Sequence, residues 1–459
     1  MPLILGTNSI KDTGYEVANS VRLDSASTAY LSRTVDLTQN STSQHKFTIS
    51  CWFKLGKTGQ TNGELFGAHG SNDYFTVRVS NGNAIDILSY DDAIKGRLVT
   101  NQLLRDHSAW YHIVVACDSN NGSGTNRMRL YLNGSEVNIG RNVDQVGGAG
   151  LFDGYIAEFV YIDNDQLEPD SFGEFDEDSP SIWKPKNVSG ISGLSNTFSF
   201  YLDFEDSSNL GNDVSGNNND FTSNNLTALD QSTDTCTNNF CTLNVLSADE
   251  MTFTEGALHV DQASDDDGGA RSDDNARGTM GVNSGKWYWE VKVTGATAPA
   301  VVGICFDELK TGFSDLSGST GVYAIQNAST TYAYRRENGT TSETSGYPNP
   351  VANNILNVAF DADNGKLYIG INGTYYNQAG ATGNPATGSN PTFSSIDTSF
   401  FWLPWIESRG DNQQALMNFG SPAISISSGN ADGEGFGNFE YAVPSGYFAL
   451  CTKNLAEYG

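Results

Sequence analysis

Hydrophobic and polar positions alternate most strongly along Gly285-Lys286-Trp287-Tyr288-Trp289-Glu290-Val291-Lys292-Val293. Trp287, Trp289, Val291 and Val293 fall on one side, Tyr288, Glu290 and Lys292 on the other, which is the period of a half-buried strand. Two indoles on one face make it a core strand of a β-sandwich. The same alternation recurs at short spacing. Phe47, Ile49, Cys51 and Phe53 interleave with Thr48, Ser50 and Trp52. Tyr74 to Val79 and Ile85-Asp86-Ile87 flank an Asn81-Gly82-Asn83 turn and predict a hairpin. Trp110 to Ala116 is an almost continuous apolar run, as in a sandwich core, and Met128 to Leu132 enters an Asn133-Gly134 turn. Gly154 to Ile162 and Phe198 to Phe204 complete a first set of strands. A second set includes Ile355 to Asp361, Lys366 to Ile371, Trp402 to Trp405 and Met417 to Gly420.

These segments carry two family resemblances. "FTISCWFK", "WYHIVVA", "LYLNG" and "GYIAEFVYI" resemble successive strands of LamG-like, concanavalin A-like jelly rolls, and "FYLDFEDSSNLGNDVSGNNNDFT" resembles a segment that accompanies them. In such sandwiches the first and last strands pair, which implies residues 20–35 beside 198–205. "GKWYWEV", "ILNVAFD", "KLYIGING", "WLPW" and "MNFG" resemble, in order, the strands of SPRY domains. The expected fold is all-β: two tandem concanavalin A-like jelly-roll β-sandwiches, LamG-like then SPRY-like, with an N-terminal arm. The boundaries read as 1–20 arm, 21–222 LamG-like sandwich, 223–249 linker anchored by Phe221, Leu226 and Phe240 at its surface, and 250–459 SPRY-like sandwich.

Composition narrows the function. The 459 residues hold 49 Gly and 12 Pro, which suits an all-β chain rich in turns. Lys and Arg number 25 against 54 Asp and Glu, a formal charge of −29, so phosphate would be repelled almost everywhere and nucleic acid is an unfavourable partner. No apolar run approaches the ~20 residues of a membrane span, and the Met1-Pro2-Leu3-Ile4-Leu5-Gly6 start lacks a signal peptide's basic region. Six cysteines are too few to staple the chain; Cys51, Cys117 and Cys305 read as buried thiols, and Cys236 and Cys241 could close a small loop.

Four groups of residues offer candidate chemistry. Asp203 and Glu205 are two apart on a strand, a spacing near what a retaining glycosidase needs, though nothing beside them sets one carboxyl apart from the other, so a solvated face is expected. Glu174 to Asp178, bounded by Gly173 and Pro180, reads as a loop, and His112, inside an apolar strand, as a structural histidine. Asp213, Asn217, Asn219 and Asp220 alternate oxygens around Gly216, compatible with calcium or with a hydrogen-bonded turn; no other cofactor is implied. In the Gly/Ser/Thr-rich section from Gly312 to Pro350, read as the longest loops of the second sandwich, Tyr332, Tyr334, Arg335, Arg336 and Tyr347 could stack on sugar and hold carboxylate or phosphate, with core placement of Tyr332 and Tyr334 as the alternative.

The order of arm, LamG-like sandwich, "TDTCTNNF" joint and SPRY-like sandwich resembles structural proteins of tailed phages, marine ones especially. That resemblance implies a non-enzymatic protein of the virion, a tail-fibre or appendage component that binds a host-surface glycan or protein, with trimers as the family's usual state. Capsid decoration and glycan depolymerisation are the alternatives. Leu3, Ile4 and Leu5, apolar and without a local partner, are the expected assembly contact with other virion proteins.

Overall fold

A computed structural model describes residues 4, 12–35, 45–70, 72–137, 139–140, 150–247, 251–262, 274–294, 300–306, 321–327, 333–337, 339–344, 346–408 and 413–459. The chain is nearly all-β and divides into two units, Thr13–Thr237 and Met1–Asp12 with Asn238–Gly459.

In Thr13–Thr237, two sheets enclose one core. The first runs in the order Ser135–Glu136, Met128–Leu132, Trp110–Asp118, Lys46–Leu55, Gly154–Asp163, Ser20–Leu23, Gln231–Ser232. The second runs Ile139–Gly140, Ala93–Leu103, Ala84–Asp91, Asp73–Val79, Gly63–His69, Gly150–Leu151. Ile49, Cys51, Phe53 and Leu55 from the first sheet meet Val77, Val79, Ile85 and Ile87 from the second, as the alternation predicts.

The terminal pairing differs from the expected one. Ser20–Leu23 lies between Gly154–Asp163 and Gln231–Ser232, and Tyr30–Ser32 pairs with Thr222–Asn224. Phe200–Leu202 instead takes the far half of Gly154–Asp163, with Phe159 opposite Leu202. The cause is local. The register of that strand shifts between Ala157 and Val160, where Glu158 adopts a left-handed φ of 51°. A bulge bends its strand, so one edge serves two partners, Val21 opposite Ile156 before it and Phe200–Leu202 after it.

The linker and the arm are also redrawn. Residues 223–237 belong to the first unit, where Phe221 and Leu226 pack against its core, and Asn238 onward belongs to the second. Thr13–Ser20 joins the first unit too, with Val17 buried beside Trp52, Trp110 and Tyr155.

The other unit also has two sheets. One orders Thr252–Thr254, His259–Gln262, Gln413–Asn418, Lys286–Val293, Ile355–Asp361, Lys366–Ile371, Thr374–Tyr376; the other orders Asp274–Arg277, Trp402–Ser408, Ala300–Phe306, Val322–Asn327, Ala333–Glu337, Thr340–Thr344. Trp287, Trp289, Val291 and Val293 enter the core between them. The reverse face of Lys286–Val293 is covered as well. Tyr288 packs with Phe439, Tyr447 and Ala449, and the buried Glu290 carboxylate accepts bonds from Tyr288 OH (2.7 Å), Tyr441 N (2.8 Å) and Glu440 N (3.0 Å). The half-buried strand of the pattern is thus buried on both faces, because a distant segment supplies the second cover.

Candidate functional site

Among the described residues of the section from 312 to 350, three strands stand where the sequence suggested loop. Val322–Asn327, Ala333–Glu337 and Thr340–Thr344 form an antiparallel run, turned by Gly339 at φ 90°. Tyr332 lies outside the described residues. Tyr334, Arg335 and Arg336 stand opposite Gln326, Ile325 and Ala324. Ile325 belongs to the central core and Ala324 to the cluster on the other side of the sheet. Successive strand positions alternate faces, so positions 335 and 336 fall on opposite faces of the sheet. Tyr347 is 2% exposed, and its hydroxyl donates to Ile369 O at 2.8 Å, with burial pushing its pKa up. It is a core residue and not a ligand contact.

The Asp213 loop is a hydrogen-bonded turn. Asp213 Oδ1 accepts from Tyr201 N (2.9 Å) and Ser215 N (3.0 Å), and Oδ2 from Asn219 N (2.8 Å) and Ser215 Oγ (2.9 Å). Asp220 Oδ1 accepts from Asp213 N. Asn217 Nδ2 donates to the carbonyls of Leu194, Asn196 and Ser199, and Asn219 Nδ2 to those of Thr197 and Ser199. Asn219 Oδ1 accepts from Arg33. The Asp213 carboxylate, one Asp220 oxygen and the Asn219 oxygen are committed to donors of the protein itself, while the amide nitrogens of Asn217 and Asn219 tie the 194–199 segment down.

Of the assembly contact, Leu3 and Leu5 lie outside the described residues. Ile4 N donates to Thr279 O at 3.0 Å, Gly281 N donates to Ile4 O at 3.3 Å, and its side chain packs on the core of its own unit. That position is partnered within the chain. All six cysteines are free, so Cys236 and Cys241 are not joined. Gly173–Phe175 pairs with Trp183–Pro185, so the Glu174 stretch begins as strand, and Asp176 takes Lys184 at 3.2 Å. His112 is structural: buried, it donates from Nε2 to Ser50 Oγ (2.8 Å) and accepts Trp183 Nε1 at Nδ1 (3.0 Å), and burial lowers its pKa to about 3.

Asp203 and Glu205 have a third carboxyl nearby that the sequence did not single out. Glu158, on the bulge, is 5% exposed and accepts from Tyr201 OH (2.7 Å) and Tyr15 OH (3.4 Å). Burial first, then the Asp203 charge, raises its pKa to about 7, against the lowering effect of its tyrosine bonds. Asp203, also raised by burial, spends Oδ1 on Glu205 N. A shielded acid fixed by two tyrosines holds 13–19 and the 200–202 strand against the bulge.

The face that sequence reasoning passed over is the side of the Gly63–His69, Asp73–Val79, Ala84–Asp91, Ala93–Leu103 strands turned away from the core. Cross-strand partners share a face. His69 stands opposite Tyr74, Tyr74 opposite Tyr90, Thr76 opposite Leu88, Arg78 opposite Asp86, and Leu88 opposite Arg97. At the rim three rings stack in a row, His69–Tyr74 at 5.9 Å and Tyr74–Tyr90 at 4.9 Å; His69 is exposed and both tyrosines half-buried. Deeper, Asp86 Oδ2 accepts from Arg78 Nε (3.0 Å), Arg78 Nη2 (2.8 Å) and Arg97 Nη2 (2.8 Å), and Oδ1 from Arg97 Nε (2.9 Å). Two guanidinium groups share one carboxylate. Between rim and base, Tyr74 OH, Thr76 Oγ1 and Glu64 Oε1 are buried without a hydrogen-bond partner. Buried polar atoms are nearly always paired, and leaving one unpaired costs about 1–3 kcal/mol. The sequence signal was present: Tyr74, Thr76 and Arg78 alternate with Phe75, Val77 and Val79, and a charge in each strand of the hairpin marks the non-core side.

Residues 28–163 match the family model described as the concanavalin A-like lectin/glucanases superfamily, Laminin_G_3. No curated protein matches the chain in sequence. Among solved structures, the SPRY domain of human HERC1 is 12% identical over 38% of this chain and 96% of its own, with a TM-score of 0.29. The TRIM65 PSpry domain is 14% identical over 39% of this chain and 91% of its own, also with a TM-score of 0.29.

Proposed function

We propose that this protein is a non-enzymatic component of a phage particle, a fibre or appendage subunit that binds a glycan on the host surface. The observation that carries the binding role is the rim of the non-core face of the Thr13–Thr237 unit, where the exposed His69 ring and the half-buried Tyr74 and Tyr90 rings stack in a row. The outer ring faces of His69 and Tyr90 offer stacking, and Arg97 with Arg78 offsets the field of a −29 chain for an anionic polysaccharide. The phage setting rests on the order of segments along the sequence. In that setting, ion pairing and stacking do the work without bond cleavage.

The test uses the full chain against a panel of bacterial capsular polysaccharides and lipopolysaccharide O-chains. Wild type should bind at least one glycan, and His69→Ala/Tyr90→Ala, at rim positions, should lose most of that binding while keeping its melting temperature. Equal binding by wild type and the double variant rules out this face as the glycan site, and binding by neither sinks the glycan-binding reading and moves the assignment to capsid decoration. Release of oligosaccharide by the wild type would favour depolymerisation instead.

A further inference from the structure

Residues 231–237 return along the Lys46–Leu55 sheet, and one contact there is chemically unlike the others. Lys54 Nζ stands 2.8 Å from Asp234 Oδ2, and each side chain is 1% exposed. Every other described ion pair of a lysine keeps at least one partner 13% or more exposed. The walls are aromatic and apolar. Tyr155 lies under the ammonium, 5.6 Å from Nζ to ring centroid, and Trp52, Trp110, Val17 and Cys236 belong to the same cluster. Trp110 Nε1 donates to the other carboxylate oxygen, Oδ1, at 3.0 Å. Ser20 Oγ, donating to Asp234 O at 2.6 Å, and Ser232 Oγ, accepting from Asp234 N at 3.1 Å, hold the aspartate's backbone in place.

We propose that Lys54 and Asp234 condense within the folded unit, Nζ to Cγ, into an intramolecular amide cross-link. The atoms balance without any co-reactant. One ammonium proton passes to Oδ2, giving a neutral amine and a carboxylic acid. The amine lone pair attacks Cγ, and the charge that builds on Oδ1 is met by the Trp110 N–H, already aimed at that oxygen. The Cγ–Oδ2 bond then breaks, and Oδ2 leaves as water with a second proton from nitrogen. One hydrogen stays on the amide nitrogen.

Two physical effects favour the step. Holding amine and carboxyl in contact makes the step intramolecular, with the entropy of bringing the two groups together already spent in folding. The buried site also keeps out the water that would reverse the reaction. Contact within a dry aromatic site therefore favours both formation and persistence of the amide. The bond would close most of the unit, from Lys54 to Asp234, into a covalent ring, and would hold the returning segment against its sheet under load.

Intact mass under denaturing conditions decides it. The full chain, folded and incubated, should weigh one water less than its sequence specifies, and a digest should yield a branched peptide joining the Lys54 and Asp234 segments. Lys54→Arg and Asp234→Ala should each show the full mass of their own sequences. Asp234→Asn should reach the wild-type product mass by losing ammonia in place of water. A wild-type chain at its full sequence mass overturns the proposal whether or not any variant folds. So does a water loss that persists in Lys54→Arg, since it would then lie elsewhere.

Discussion

Replacing Glu158 by Gln should make the Thr13–Thr237 unit more stable in mild alkali and leave it almost unchanged in acid. Glu158 accepts from two tyrosine hydroxyls on a buried bulge, and burial together with the Asp203 charge raises its carboxyl from an ordinary 4.5 to about 7. A carboxyl with a raised folded pKa binds a proton in the folded state that the unfolded chain has already released. Its contribution is therefore fully present below about pH 4.5 and is lost as pH rises through about 7. A gap of about 2.5 units at 1.36 kcal/mol per unit amounts to about 3 kcal/mol. Glutamine keeps an oxygen for Tyr201 OH and cannot ionise. For a unit of this size the difference corresponds to roughly 6–12 °C in melting temperature. The assay is thermal unfolding of wild type and Glu158→Gln from pH 4 to pH 9, followed by tyrosine and tryptophan fluorescence. The two curves should meet near pH 4 and part with the variant above wild type by pH 8. A constant offset, or a variant less stable at pH 8 than at pH 4 relative to wild type, would refute the protonated, tyrosine-bound carboxyl.

Other substitutions separate structural from binding roles. Tyr347→Phe removes the buried bond to Ile369 O and should lower stability by about 1 kcal/mol in chemical denaturation, with glycan binding unchanged. Trp289→Ala empties a core position 1% exposed and should cost about 3–5 kcal/mol by the same measurement. Asn217→Ala strips donors from the carbonyls of Leu194, Asn196 and Ser199 and should cost about 1–3 kcal/mol, while a calcium chelator leaves the wild-type melting temperature where it was. Asp86→Asn leaves two guanidinium groups sharing no carboxylate beneath the ring row, and a loss of about 3–5 kcal/mol in a melt is expected.

Alternation along single strands was enough to identify the all-β class and the inward faces of both units, because a period of two depends only on which side of a pleat meets the core. Trp287 and Trp289, or Phe47 to Phe53, carry that information locally. What crosses the chain at long range was not legible. Nothing near Glu290 announces that the 439–449 segment covers its face, and nothing near Asp203 announces Glu158, some 45 positions away. The Gly/Ser/Thr-rich composition of 312–350 suggested loops, yet edge-side strands need few large residues when their ladder supplies the bonding. The Asp213 loop has the alternation of a calcium loop, and only the carbonyls of 194–199, brought close by the fold, decide that its amides and carboxylates are spent on backbone. The sequence by itself determined period, face and class. Tertiary structure decided partners, since burial and charge at a side chain depend on residues that approach in space and leave no mark in its own neighbourhood.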